Sequence, residues 1–251
     1  MHSLEFFSTP WIFALCAVLF AAFVRGLAGF GFALILAPLL FLILDPIVVV
    51  IINLFLGLLS HIVVVLWSLR EVNLRQISPI IASSLLGIPL GAWIISVIAP
   101  HVLKIVIGAV IICFAIPISI GFRKSFTSGK LTSGLAGFLS GILASSTSLG
   151  GPPVVLFMHS QNWTKQNILA SLAAYFMFLN LFSLLALSIS GQMHVEILVT
   201  AASLVPAMFI GVRLGMVLFH RTDSRLFRFL SMFIVICAGI LAVISGLEIL
   251  P

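Results

Sequence analysis

From Pro10 to Leu250 the chain is divided into apolar runs, most of them about 20 residues long, separated by short polar punctuation. A run of that length is what a helix needs to cross a hydrocarbon layer about 30 Å thick. With 62% hydrophobic and 7% charged residues, the chain has more apolar surface than a water-soluble core of 251 residues could hide. It therefore reads as an all-α polytopic membrane protein, one transmembrane domain over residues 1–251 whose first partner is the lipid bilayer. The net charge of +6 reports loop topology rather than a nucleic-acid partner. Cys16, Cys113 and Cys237 lie far apart in apolar runs without zinc-type spacing, so no metal site is expected from them. "MHSLEFFSTPW" carries no Lys or Arg before the first apolar run and no cleavage pattern after it, which argues against a removable signal peptide.

Long helices are expected over 46–68, 76–98, 102–121, 168–190, 195–219 and 225–248. Two regions differ. Residues 11–44 and 131–163 each contain a glycine-rich break, "RGLAGFGF" and "STSLGGPP", followed by a shorter apolar run, and they read as broken helical hairpins. The bases cluster in alternate loops: Arg70 and Arg75; Arg123, Lys124 and Lys130; Lys165; Arg221, Arg225 and Arg228. Keeping these on the cytoplasmic side puts both termini outside the cytoplasm, provided each hairpin returns to its starting side.

The chain also compares with itself. "NLFLGLLS" from Asn53 resembles "NLFSLLALS" from Asn180, Gly87 and Gly91 recur as Gly211 and Gly215, and Lys104 and Cys113 fall opposite Arg228 and Cys237. The halves, residues 11–121 and 131–248, start on opposite sides of the membrane, which makes the pattern an inverted repeat of the kind that builds secondary transporters.

Unpaired backbone is costly in hydrocarbon, so a break there should line a cavity. Pro152 and Pro153 suit the first turn of a new helix, and the segment after Gly31 offers a second helix N-terminus. Helix N-termini and the hydroxyls of Ser145, Ser146, Thr147 and Ser148 favour an anion. The alternative is that the glycines only permit tight turns and the hydroxyls bond back to carbonyls one turn earlier. The six acids all fall in or beside loops, which leaves no deep carboxylate for cation relay. Arg25 is a strong base beside the first break and should face the cavity or snorkel. His61 lies in an apolar run and could carry a proton. Asn53 and Asn180 are candidate site-lining or interhelical amides. The substrate-binding set is thus Arg25, Gly29, Gly31, Asn53, Ser145 to Ser148, Gly150, Gly151 and Asn180, with His61 as the proton-coupling candidate.

"GLAGFGFALILAPLL", "GILASSTSLGGPPVVLF", "GIPLGAWI", "GVRLGMVL" and the two-half layout together resemble the TauE/SafE sulfite-exporter family over roughly residues 11–248. The resemblance implies an inner-membrane permease for sulfite, sulfonates or other small organosulfur anions, working without a cofactor. It carries the hairpin glycines Gly26, Gly29, Gly31, Gly141, Gly150 and Gly151. Phe30 and Phe32 flank Gly31 where family members usually keep a denser glycine cluster. An anion channel is the nearest rival function. A membrane-embedded enzyme is not expected, since GxSxG, HExxH and paired intramembrane aspartates are all missing.

Overall fold

The structure is a computed structural model that describes residues 8–28, 31–119, 129–159, 161, 163–219 and the isolated positions 240, 243, 244 and 247. Every regular element among these is helical: α1 (Thr9–Ala28), α2 (Phe32–Leu40), α3 (Pro46–Trp67), α4 (Leu74–Val97), α5 (Pro100–Ser119), α6 (Lys130–Thr147), α7 (Gly151–His159), α8 (Lys165–Ile189), α9 (Val195–Ser203) and α10 (Val205–Phe219). A single 3-10 turn, Leu69–Glu71, joins α3 to α4. Among the described residues five stretches are long and apolar enough to cross a membrane: Thr9–Gly26, Pro46–Leu66, Leu74–Val97, Gln166–Ile189 and Val195–Leu218. The helix expected over 225–248 lies almost wholly outside the described residues, as do Gly29 and Cys237.

One expected helix is two. Residues 195–219 divide at Leu204, because Pro206 has no N–H to continue the ladder. The Leu204 N–H instead reaches back three residues to Ala201 O at 3.2 Å, and the helix resumes with Met208 N–H on Leu204 O at 3.2 Å. Elsewhere the starts follow local chemistry. Thr164 caps α8, its Oγ1 accepting from Asn167 N–H at 3.2 Å and donating to Asn167 Oδ1 at 3.0 Å.

The chain forms two compact units. The first comprises residues 1–56, 98–122 and 194–251, and the second residues 57–97 and 123–193. Each takes helices from both halves of the sequence. In the first unit α1 lies along α10; in the second α4 lies along α6, and α8 covers both. Both seams are lined by glycine. A Cβ on Gly87 would run into the Phe138 carbonyl, one on Gly91 into the Ile142 carbonyl, and one on Gly141 into the Ser84 carbonyl. In the first unit Gly211 meets the Leu19 carbonyl, Gly215 the Phe23 carbonyl and Gly26 the Val212 carbonyl in the same way. This is the close backbone approach by which helices associate in lipid, where hydrophobicity supplies no drive between them.

The outward faces follow the same solvent logic. On α4, Leu86, Leu90, Trp93 and Val97 form one exposed stripe, while Ser84, Gly87, Ile88, Gly91 and Ile95 are buried on the opposite face. Small residues inside and large apolar residues outside would aggregate in water. Against acyl chains they are the ordinary surface of a spanning helix.

Candidate functional site

The two breaks fall where the glycine-rich stretches place them, between α1 and α2 and between α6 and α7. The second helix of each hairpin, Phe32–Leu40 or Gly151–His159, has 9 residues. At 1.5 Å per residue such a helix is about 14 Å long, roughly half the hydrocarbon thickness.

The first break lies in the first unit. Gly31 caps α2 with φ of 92°, a left-handed conformation that suits glycine, and a Cβ there would meet nothing within 4 Å. The first bond of α2 runs from Ile35 N–H to Gly31 O at 3.2 Å, so the N–H groups of Phe32, Ala33 and Leu34 precede the helical ladder and point out of the helix start. Arg25, in the last turn of α1, is 7% exposed and so is enclosed by protein rather than extended along the surface. Asn53, in α3 within the same unit, is 2% exposed, and neither its Oδ1 nor its Nδ2 has a hydrogen-bond partner.

The second break lies in the second unit and resolves its four hydroxyls into two kinds. Ser145 has one proton to give to Ile88 O at 2.8 Å or Gly141 O at 3.0 Å, Ser146 donates to Ile142 O at 2.6 Å, and Thr147 to Leu143 O at 2.6 Å. Each hydroxyl has a single proton, and in these three it is committed to a helix carbonyl. Ser148 is different. It ends α6 in the left-handed region at φ of 60°, with its N–H on Ala144 O at 2.9 Å and the next N–H, of Leu149, on Leu143 O at 3.3 Å. The first of these is the single bond of an αL helix end, with serine in the place usually taken by glycine. The Ser148 Oγ is enclosed and has no partner.

The two glycines that follow have different duties. Gly150 is held by space, since a Cβ would stand 2.6 Å from Ser140 O, 2.7 Å from Ala144 Cβ and 2.8 Å from Leu179 Cδ2. Gly151 opens α7, and its nearest neighbour would be the Phe176 ring at 3.5 Å, an ordinary contact. The left-handed residue of this break is Ser148, two residues before Gly150, and neither Gly150 nor Gly151 has a positive φ. Pro152 and Pro153 occupy the first turn of α7, as their missing N–H groups favour. For the same reason α7 presents fewer N–H donors than α2.

In the second unit several other candidates gather on α8. The His61 ring of α3 packs against Phe176, centroids 5.2 Å apart, and the same ring is the nearest neighbour that a Gly151 Cβ would meet. One turn along, Asn180 brings its Nδ2 to 2.6 Å from where a Gly57 Cβ would be. Asn53 and Asn180, paired by the self-comparison, lie in different units. Phe176 and Tyr175 were not singled out by sequence reasoning, although the chain's one tyrosine inside an apolar run was a visible signal. Among the described residues no three His, Cys, Asp or Glu side chains converge as a metal site would require.

The sequence profile of one protein family, described as sulfite exporter TauE/SafE, matches residues 14–242. No curated protein and no solved structure matches the chain significantly.

Proposed function

The chain belongs to the sulfite exporter TauE/SafE family, a family of membrane transporters, and from that premise we propose that it is a secondary-type permease for small anions. Sulfite, sulfonates and other organosulfur anions are the substrate class, moved by alternating access across the bacterial inner membrane. The observation that carries this reading is the pair of nine-residue helices that begin at glycine-bearing breaks inside apolar hairpins. A helix start bears partial positive charge and unpaired N–H groups, and within a low-dielectric layer it favours an anion. The α2 start has the fuller set of donors, and Arg25 lies in the last turn of the helix that packs against α2. The substrate's charge is therefore assigned to that break, with Asn53 of the same unit as a further polar contact; in the second unit Ser148, the α7 start and Asn180 are the polar candidates and His61 the proton-coupling candidate.

The inverted repeat is supported by reciprocal docking. The long helix of each hairpin, α1 or α6, lies on the GxxxG-bearing helix of the opposite half, α10 or α4. Such an exchange gives two units of similar construction, the arrangement alternating access uses.

Purified protein in proteoliposomes should take up sulfite or a small sulfonate saturably and in preference to carboxylates. Conductance far above transporter turnover would replace the permease by a channel. Arg25→Gln should weaken anion binding by about 10- to 100-fold, the loss of one charge-assisted hydrogen bond, in protein that still inserts and folds. Unchanged binding in a folded variant would remove Arg25 from the site.

A further inference from the structure

The part of α3 that belongs to the second unit faces α8 through two contacts, His61 on Phe176 and Gly57 on Asn180. These fix which stripes look at each other. On α3 they are Gly57, Ser60 and His61, spaced i, i+3, i+4; on α8 they are Phe176, Asn180 and Ser183, spaced i, i+4, i+7. The backbone of α3 does not run closely along α8 as those of α4 and α6 do, so side chains occupy the space between. Gly57 differs accordingly from the glycines of the α4–α6 seam. Gly87, Gly91 and Gly141 are opposed by backbone carbonyls, whereas a Cβ on Gly57 would meet only the Asn180 carboxamide, its Nδ2 2.6 Å away.

Ser60 and Ser183 are 4% and 0% exposed. A helical serine commonly gives its proton to the carbonyl three or four residues back, as Ser83, Ser84, Ser146 and Ser203 do. Ser60, Asn180 and Ser183 form no hydrogen bond, within their helices or across the seam. Polar side chains between membrane helices ordinarily bond across to one another, and leaving them unpaired in an apolar layer is costly. These three are instead left open to a ligand. Together they have four protons to donate, one from each hydroxyl and two from the carboxamide, and neither helix contains an Asp or Glu. The start of α7 adjoins the same face at the Phe176 ring, and the positive end of its dipole favours negative charge there.

We propose that this face of α3 and α8 is a binding site for a small oxyanion, lined by Ser60, Asn180 and Ser183, with Gly57 as the positioning residue whose missing side chain admits the Asn180 carboxamide. The identity of the oxyanion rests on the transport reading. The unpaired groups and the space at Gly57 do not.

The test is binding of sulfite, methanesulfonate and sulfate to purified protein in detergent, with thermal unfolding measured on the same samples. Ser183→Ala removes an enclosed, unpaired hydroxyl, so the melting temperature without anion should not fall, while the anion binds about 3- to 10-fold more weakly. A hydroxyl that serves only the packing of the seam would leave affinity unchanged. Asn180→Ala should weaken binding to a similar degree. Gly57→Ala should do the same by displacing the carboxamide, and added to Asn180→Ala it should cost nothing further. Unchanged affinity in folded Ser183→Ala and Asn180→Ala overturns the site, and a further loss from Gly57→Ala in the Asn180→Ala background overturns its action through Asn180. Stabilisation that follows added sodium at constant anion overturns the choice of an anion. Sulfite flux that persists unchanged in these variants leaves the permease reading standing and removes this site. A parent that binds sulfate through Asn180 and Ser183, but neither sulfite nor methanesulfonate, keeps the site and removes the substrate assignment.

Discussion

Ser148 combines two costs in one residue: a left-handed backbone at φ of 60° and an enclosed hydroxyl without a partner. A non-glycine residue in that region is strained by about 1 kcal/mol or more. Ser148→Gly should therefore raise stability by about 0.5–1 kcal/mol in thermal unfolding. If the hydroxyl meets substrate, the same variant and Ser148→Ala should both weaken anion binding by about 0.5–1.5 kcal/mol. Ser145→Ala and Ser146→Ala should leave binding unchanged, since their protons are already given, to the Ile88 or Gly141 carbonyl and to the Ile142 carbonyl. Titration calorimetry on the four variants checks the division; a loss in Ser146→Ala equal to that in Ser148→Ala would show that the helix-bonded hydroxyls turn outward to bind. The run of four hydroxyls was legible as a break in a helix. Which of them is uncommitted was not, because that depends on where the left-handed residue falls and on a carbonyl of α4, 57 residues away.

Among the elements, the glycine seams decide how helices meet. Gly91 and Gly134 are both helical glycines, yet a Cβ on Gly91 would collide with the Ile142 carbonyl and Ser145 Oγ, whereas one on Gly134 would meet nothing within 4 Å. Gly91→Val should separate α4 from α6 and lower the yield of folded protein. Gly134→Ala should raise stability by about 0.5–1 kcal/mol through helix propensity alone. Thermal unfolding in detergent measures both, and equal effects would mean that the α4–α6 seam tolerates repacking. The GxxxG spacing at Gly87 and Gly91 announced a contact face, but the partner helix was not written in it. That the second half's hairpin supplies α6 to this face depends on tertiary pairing.

For the whole molecule, the alternation of basic loops predicts sidedness. A reporter active only in the cytoplasm should give signal when fused after Lys130 and none when fused after Gln192. The reverse pattern would turn the molecule over and exchange the sides reached by the two hairpins. Among the described residues Leu86, Leu131 and Ile189 are large apolar side chains left exposed, as lipid-facing helices require.

The membrane class, most helix bounds and both breaks followed from the sequence by itself, because each rests on local physics. Apolar run length answers to bilayer thickness, and glycine and proline act on the backbone where they stand. α3 and α8, expected at 46–68 and 168–190, were found at Pro46–Trp67 and Lys165–Ile189. The division at Leu204 did not follow from Pro206 alone, since Pro79 and Pro89 leave α4 continuous. Tertiary structure alone decided the rest: that each compact unit is assembled from both halves, that Gly150 is required by neighbours rather than by its own backbone angle, and that Ser148 alone of its run keeps an unpaired hydroxyl. Those facts depend on atoms brought together from distant parts of the chain, and a hydrogen-bond donor becomes available or spent only when its neighbours are known.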